Sequence, residues 1–432
     1  MKRLTLLVLM FCVFTREARP AEPDARALNL DEALRLARAN HPQLRASHAQ
    51  TDAVQAKVAQ ARAPLLPQVT GNGSFARTTG SYSTTTSSGA PVAGVSSSNA
   101  YNLGVNASEL IYDFGLTTGR WNAAKATLRS QEENERNFAV QIAFNVRSAY
   151  YTAAAAKALV KVAEETLANQ EAHLRQIQGF VEAGTRPEID LAQARTDRAN
   201  AKVLLINQQV AYDTGKALLN QSMGVDRALD YDVTDPQAGE LPGEDTSADQ
   251  LMPVALKARP DLLALARQID AQELTTGSIK GGYAPSLSAS AGLTESGPAL
   301  DSLNWGFRGL LSMNWQIFGG GITDAQVREA RANTAVLRAQ YELARQQVRA
   351  DVEQARLGVR AAKAAIEATH EAAVNARVRL NLAEGRYQAG VGSVIELGDS
   401  QVALTAAAGQ EVQAVFNLAT ARARLLQALG QP

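Results

Sequence analysis

The chain has one cysteine, Cys12, in 432 residues, and no excess of either charge, with 43 Lys plus Arg against 43 Asp plus Glu. A lone thiol excludes an internal disulfide framework and a cysteine-based metal site. The charge balance removes the electrostatic footprint expected of a nucleic-acid binder. Beyond the first residues there is no run of roughly 18 apolar residues, so no transmembrane helix is expected, and any membrane insertion must use strands. No Ser/His/Asp or Cys/His set stands out either, and the reading is a non-enzyme with no cofactor.

The start, "MKRLTLLVLMFCVFT", places Lys2 and Arg3 before an apolar run about half the length of a bilayer span, which reads as a signal peptide over residues 1–22. The following "REARPAEPDA" lacks a clean small-x-small cleavage site, and bulky Phe11 before Cys12 argues against lipid attachment. The expected mature protein is thiol-free.

The rest is one unit written twice. "ALRLARANHPQL" (Ala33 to Leu44) resembles "ALKARPDL" (Ala255 to Leu262), and Pro67 corresponds to Pro285, at an offset of about 218 residues. Past the polar loop "TTGSYSTTTSSGAPVAGVSSSN" the offset becomes about 206, pairing Tyr112 with Phe318, Gly184 with Gly390, Asp190 with Glu396 and Gly224 with Gly430. The main length change falls in a polar loop, where insertions are tolerated.

Each half then reads as a helix, two short strands, a very long helix, a glycine break and a last helix. The first repeat covers 28–224, with strands near 67–76 and 100–112, a long helix 116–182, a tip 183–187 and a helix 188–224. The second covers 251–430, with strands near 285–294 and 304–318, a long helix 322–388, a tip 389–393 and a helix 394–429. Residues 225–250 form an acid-rich linker, expected to be a solvated loop that could belt the middle of the rods. Tyr341, Ala344, Val348, Ala355, Val359, Leu380, Ala383 and Tyr387 recur in steps of three and four, a coiled-coil seam. At 1.5 Å per residue the long helix spans roughly 95 Å, the last helix roughly 55 Å and the first roughly 50 Å. Two short helices end to end equal one long rod, and a barrel of rods is the economical packing.

In "PQVTGNGSF", Val69, Gly71, Gly73 and Phe75 alternate with polar residues, and Leu287, Ala289, Ala291 and Leu293 do the same in the second half. Strands of about ten residues, apolar outward and polar inward with aromatics near their ends, have the pattern of an outer-membrane β-barrel. Four strands cannot close a barrel, and open edges are forbidden in lipid, so the barrel has to be shared between chains. Three chains give twelve strands and twelve rods; larger numbers also satisfy the arithmetic.

With the duplication, "NHPQL" and "ARPDL" in the first helices, the corners "LIYDFG" and "QIFGGG", and the breaks "EAGTRPEIDLAQA" and "QAGVGSVIELGDS", the chain resembles a TolC-like outer-membrane efflux protein over about Leu28 to Gly430. The resemblance implies a mainly α chain with membrane β: a homotrimer whose shared 12-stranded barrel crosses the outer membrane above an α-helical periplasmic tunnel. It also implies docking to a periplasmic adaptor (membrane fusion protein) and an inner-membrane transporter, and passive export.

By the same resemblance the periplasmic constriction is built from Glu396 and Asp399, six and nine residues after Gly390, with Tyr387 holding the closed state. The family's gate arginine falls at Gly392, a departure; Arg186 occupies the equivalent place in the first half, with Asp190 six after Gly184. The expectation is a reversed lock, Arg186 to Glu396 or Asp399 of a neighbouring hairpin. The turns Gly184, Thr185, Pro187 and Gly390, Val391, Gly392, Ser393 are the expected adaptor-docking tips. A carboxylate ring at a narrow mouth makes a pore cation-selective and open to block by multivalent cations.

Competing readings weigh less. Acids just after a helix break are often only favourable N-terminal charges, which suits Glu188 and Asp190 best. His41 and His48 lie two helical turns apart with no third ligand nearby, so solvent or packing roles are expected for all four histidines and no metal site. "GSIKGG" has the wrong strand and helix order for a phosphate loop. A secreted coiled-coil scaffold without channel activity, the main alternative, explains the seam but leaves the duplicated amphipathic strands without a purpose.

Overall fold

The computed structural model describes residues 26–226, 231–234 and 239–432; the leader lies outside them. Each half carries two helices in series. In the first half these are α1 (Leu30–Asn40) and α2 (Pro42–Arg62), and in the second α5 (Ala248–Ala258) and α6 (Pro260–Lys280). The expected single first helix of the first half is thus broken at "HP", and its counterpart at "RP". A residue before proline is pushed out of the α region; His41 and Arg259 accordingly sit at ψ 121° and 115°.

Four strands follow in two pairs, β2 (Gln68–Thr85) with β3 (Pro91–Tyr112) and β5 (Ser286–Gly297) with β6 (Asn304–Asn314). They form one antiparallel sheet in the order β2-β3-β5-β6. The register aligns Gly71, Val105, Leu293 and Phe307 across one face, and Thr70, Asn106, Gly292 and Arg308 across the other. The apolar face has no core to cover it; Trp305 is 74% exposed and Val69 68%. Among the described residues no helix is long and apolar enough to cross a membrane.

The polar segment expected as a loop is instead the far end of the β2–β3 hairpin, paired continuously from Gln68↔Ser108 to Thr85↔Pro91. Serine and threonine suit an extended backbone and can bond across the ladder, as Thr79 and Ser97 do at 3.0 Å. β6 stops at Asn314, before Trp315 and Ile317, and the following glycines turn the chain into the next helix at Gly320 and Gly321, with φ of 63° and 80°.

The rods are α3 (Leu116–Glu182) and α7 (Ile322–Gln388), 67 residues each and about 100 Å long at 1.5 Å per residue. Each returns through a short turn into α4 (Glu188–Met223) or α8 (Val394–Ala428). α4 ends at Gly224, where an added Cβ would lie 2.6 Å from His41 Cα; α8 ends before Gly430, where one would lie 2.8 Å from Arg259 Cα. So α4 stops against the start of α2, and α8 against the start of α6, which makes the stacked rods continuous.

At that level the N-terminal strand β1 (Arg26–Leu28) pairs in parallel with β4 (Tyr231–Val233) of the linker. The Tyr150 hydroxyl, buried in the largest core cluster, reaches the carbonyls of Leu28 and Thr234 at 3.1 and 2.8 Å. Among the described residues of the linker, Tyr231, Val233 and Glu244 are therefore buried rather than solvated, while Gly239, Glu240 and Asp245 stay exposed; residues 227–230 and 235–238 lie outside the described residues. Glu244, 3% exposed in its side chain, takes Arg422 Nε and Nη2 at 2.7 Å each and Lys363 Nζ at 2.7 Å. Burial alone would raise its pKa, but the bonds from Arg422 and Lys363 outweigh it and hold the carboxyl at about 2.

Candidate functional site at the helical tips

Both long helices end on a left-handed glycine, Gly184 at φ 72° and Gly390 at φ 79°. Thr185 N bonds back to Phe180 O at 2.9 Å and Val391 N to Arg386 O at 3.0 Å, so these glycines close the last turn as helix C-caps do. Gly392 has a different reason. A Cβ there would lie 2.9 Å from Tyr387 N and 3.0 Å from the Arg386 carbonyl carbon. The backbone of the preceding turn fills the space an arginine would need.

Tyr387, on the last turn of α7, is 2% exposed and packs among Ile177, Ala194, Leu380, Ala383 and Leu397. Its hydroxyl donates to Asp190 Oδ2 at 3.2 Å, joining the end of the second long helix to the start of α4. Arg186, in the first-half turn, donates from Nη2 to Tyr387 O at 2.8 Å and lays its guanidinium 4.3 Å from the ring centre. Burial pushes the phenol pKa up, the Asp190 charge and hydrogen bond push the same way, and Arg186 pulls against them. Tyr387 thus carries three contacts from the opposite hairpin, two on its phenol and one on its backbone carbonyl.

Tyr387, Asp190 and Arg186 come together; Glu396 and Asp399 do not join them. Arg186 engages Tyr387 rather than either α8 acid. Glu396 takes up the helix-start role that suited Glu188 and Asp190 best by position: it is in the first turn of α8, where its N–H donates to the Ser393 hydroxyl at 3.1 Å, half of a capping box. Its carboxylate lies 3.4 Å from Arg386 Nε, both groups being largely in solvent. Asp190, which suited the plain helix-start role by position, is 7% exposed and makes the tertiary bond.

Asp399 is exposed beside a groove between α4 and α8 that Asp197, Gln193 and Gln401 also line. Burial raises the Asp197 pKa, partly offset by a 3.0 Å bond from Gln193. Sequence reading missed Asp197 and Arg386, although a basic residue in the last turn of a helix is a usable signal for the latter. It also missed Gln170, which donates to Gln401 at 2.5 Å and links α3 to α8 inside the bundle. The histidines take local partners: His41 Nδ1 caps α2 through Gln43 N, while His48, His173 and His370 face Glu135, Glu384 and Glu411 at 3.1, 3.2 and 2.7 Å.

A sheet with a bare apolar face, continued by rods of about 100 Å that end in the Tyr387–Asp190 contact, is the architecture of an outer-membrane exit duct reaching into the periplasm. The chain belongs to the outer membrane efflux protein family, whose description it matches over residues 33–225 and 251–431. It is 27% identical over 411 residues to the toluene efflux pump outer membrane protein TtgC of Pseudomonas putida, covering 93% of this chain and 82% of that protein. It is 26% identical over 434 residues to the outer membrane protein TolC of Escherichia coli, covering 94% and 83%. Among solved structures, the channel CusC superposes with a TM-score of 0.81 at 21% identity over 93% of this chain and 92% of that one. The open-state MtrE channel of Neisseria gonorrhoeae superposes at 0.78 and 20% identity over 93% and 89%. The family consists of efflux channels rather than enzymes, and the scaffold alternative falls with that membership.

Proposed function

We propose that three copies of this chain share one barrel of twelve strands and a tunnel of twelve rods, each β2 edge pairing with a neighbour's β6. The requirement that no strand edge face lipid supports closure between chains. In this reading the duct receives cargo from an inner-membrane transporter through a periplasmic adaptor, as efflux-pump outer-membrane proteins of tripartite systems do. The adaptor docks on the tips, where Gly184, Thr185, Pro187, Gly390, Val391 and Ser393 are exposed, while Gly392 is buried and shapes the turn.

The periplasmic gate is closed by Tyr387, Asp190 and Arg186, with Glu396 and Asp399 supplying negative potential at the mouth. The observation that carries the reading is the buried Tyr387 phenol bonded to Asp190 across two hairpins. Opening has to separate those hairpins and break that bond. The test is single-channel recording in planar bilayers of the wild type and of Arg186→Ala with Tyr387→Phe. Higher open conductance in the double variant is expected; identical conductance would place the gate elsewhere.

A further inference from the structure

The sheet meets the rods at a corner that carries both backbone strain and a groove. Tyr112 pairs with Leu287 across a register shift between Leu110 and Tyr112, and Leu287 pairs with Met313, so these three form the row of the apolar face nearest the helices. Phe114, two residues further on, is the only non-glycine residue with positive φ, 52°, among the described residues. That conformation is unfavourable for a bulky side chain, and it lays the Phe114 ring on Tyr112 with centroids 4.8 Å apart. The ring is 52% exposed and heads an open groove of about 710 Å³ between α3 and α6. The groove therefore opens on the lipid side of the sheet, directly below its last apolar row.

Its floor is a close helix contact and its walls are charged. At Gly119 of α3 an added Cβ would lie 2.7 Å from Ser278 Cβ, and the Ser278 hydroxyl donates to Leu116 O at 2.6 Å. Leu274 and Gly277 of α6 are exposed on one wall, while Lys125 and Arg129 of α3 line the other. Helix side chains lean toward the helix N-terminus, which for α3 is the membrane end. Lys125 does so: its Nζ stands 3.2 Å from the centre of the Trp121 ring, one turn nearer the sheet, and the Arg62 guanidinium of α2 lies 5.7 Å from the same ring. The ammonium is thus level with a residue about 9 Å below Gly115, the depth of a headgroup layer beneath the last apolar row. Among the described residues neither Lys125 nor Arg129 has a carboxylate in ion-pair range. The acids of the groove are engaged, Asp270 by Arg267 at 3.3 Å and Glu273 by Arg338 at 2.6 Å.

We infer that this groove seats an anionic glycerophospholipid of the periplasmic leaflet, its phosphate between Lys125 and Arg129 and an acyl chain rising over Phe114 to Tyr112 and Leu287. Two cations left over in an otherwise neutralised lining favour an anionic headgroup over a zwitterionic one, and a basic pocket between helices at headgroup depth is the form such recognition takes. Trp121 supplies the amphipathic ring that settles at this level. α3 packs between α2 and α6 as β3 lies between β2 and β5, so the groove is internal to one chain and away from the β2 and β6 edges. Each chain carries a whole site, and a lipid held there joins the sheet to the rods at the strained corner.

Native mass spectrometry of the full-length protein in detergent, titrated with phosphatidylglycerol or phosphatidylcholine, tests the site. The wild type is expected to retain one phosphatidylglycerol per chain and to hold phosphatidylcholine about tenfold less tightly. Lys125→Ala with Arg129→Ala should abolish that preference. Gly277→Phe, whose new side chain enters the groove from a position with nothing within 4 Å, should lower retention of both lipids with every charge intact. Arg328→Ala with Arg331→Ala, which removes two cations near the start of α7 and outside the groove, should change nothing. Equal retention of the two lipids by the wild type, or a loss in the α7 variant as large as in the α3 variant, overturns the site in favour of unspecific surface charge. Displacement of the bound lipid by inorganic phosphate alone shows a phosphate site and overturns the lipid. If the alanine variants do not assemble, Gly277→Phe decides: unchanged retention refutes the groove.

Discussion

Tyr387 and Asp190 lie 197 residues apart and meet through a 3.2 Å hydrogen bond in the driest part of the periplasmic tip. The bond joins the end of α7 in one hairpin to the start of α4 in the other, so its loss should be felt both in stability and in conductance. Tyr387→Phe removes the donor and leaves a buried carboxylate under-satisfied, at a cost of about 1–3 kcal/mol. Open events in bilayers should become longer and more frequent in Tyr387→Phe than in wild type. A variant with unaltered gating would detach this bond from closure.

Installing the family's arginine should fail as a gate repair. In Gly392→Arg the new Cβ meets main-chain atoms of Arg386 and Tyr387, which no side-chain rotation relieves. The turn has to open, and about 1–3 kcal/mol of tip stability is lost. Limited proteolysis reads this directly: cleavage near 389–393 should accelerate in Gly392→Arg and already in Gly392→Ala.

The Glu244–Arg422 pair is a buried ion pair between the linker and α8, with side-chain exposures of 3% and 9%. Removing one partner strands the other, so Glu244→Ala should destabilise by about 3–5 kcal/mol, whereas replacing both with apolar residues should cost much less. The pH dependence has a definite sign. The carboxyl is held at about 2 against an ordinary value of 4.5, so its contribution is complete above the unfolded value and is lost as pH falls from there through the folded one. Thermal unfolding between pH 5 and pH 2 should show the Glu244→Ala variant losing less stability on acidification than the wild type.

Glu396 and Asp399 separate by role. Glu396 supports its own helix start and pairs loosely with Arg386, while Asp399 is exposed. Multivalent-cation block of the pore should therefore weaken strongly in Asp399→Ala, weaken further with Glu396→Ala added, and be accompanied by a small loss of helix stability, about 0.5 kcal/mol, from Glu396→Ala alone. Block that persists in the double variant puts the acidic ring at other residues.

The helix rods, the strands and their duplication were legible because their signals are local. A three-and-four seam, a two-residue alternation and a glycine before a reversal each follow from backbone geometry and need no knowledge of what lies across the fold. Two misreadings were local as well. The "HP" and "RP" steps carry their own helix break, and the Ser/Thr-rich segment extends the hairpin because hydroxyl side chains accept a ladder as readily as a loop.

The amino-acid order by itself determined that this chain is a doubled unit of long rods and amphipathic strands, since periodicity and repeat offset survive without any tertiary contact. Packing alone decided what the charges do. By spacing, Asp190 and Glu396 are the same residue of two repeats; one became the buried partner of Tyr387 and the other a helix cap, because Val181 stands where the first repeat would need its own tyrosine. The linker acids were likewise indistinguishable from a solvated run until Lys157 and Lys363 closed on Asp232 and Glu244. A carboxylate's role is set by which cation or phenol the fold brings within hydrogen-bond reach, and that choice is made by residues 75 to 197 positions apart.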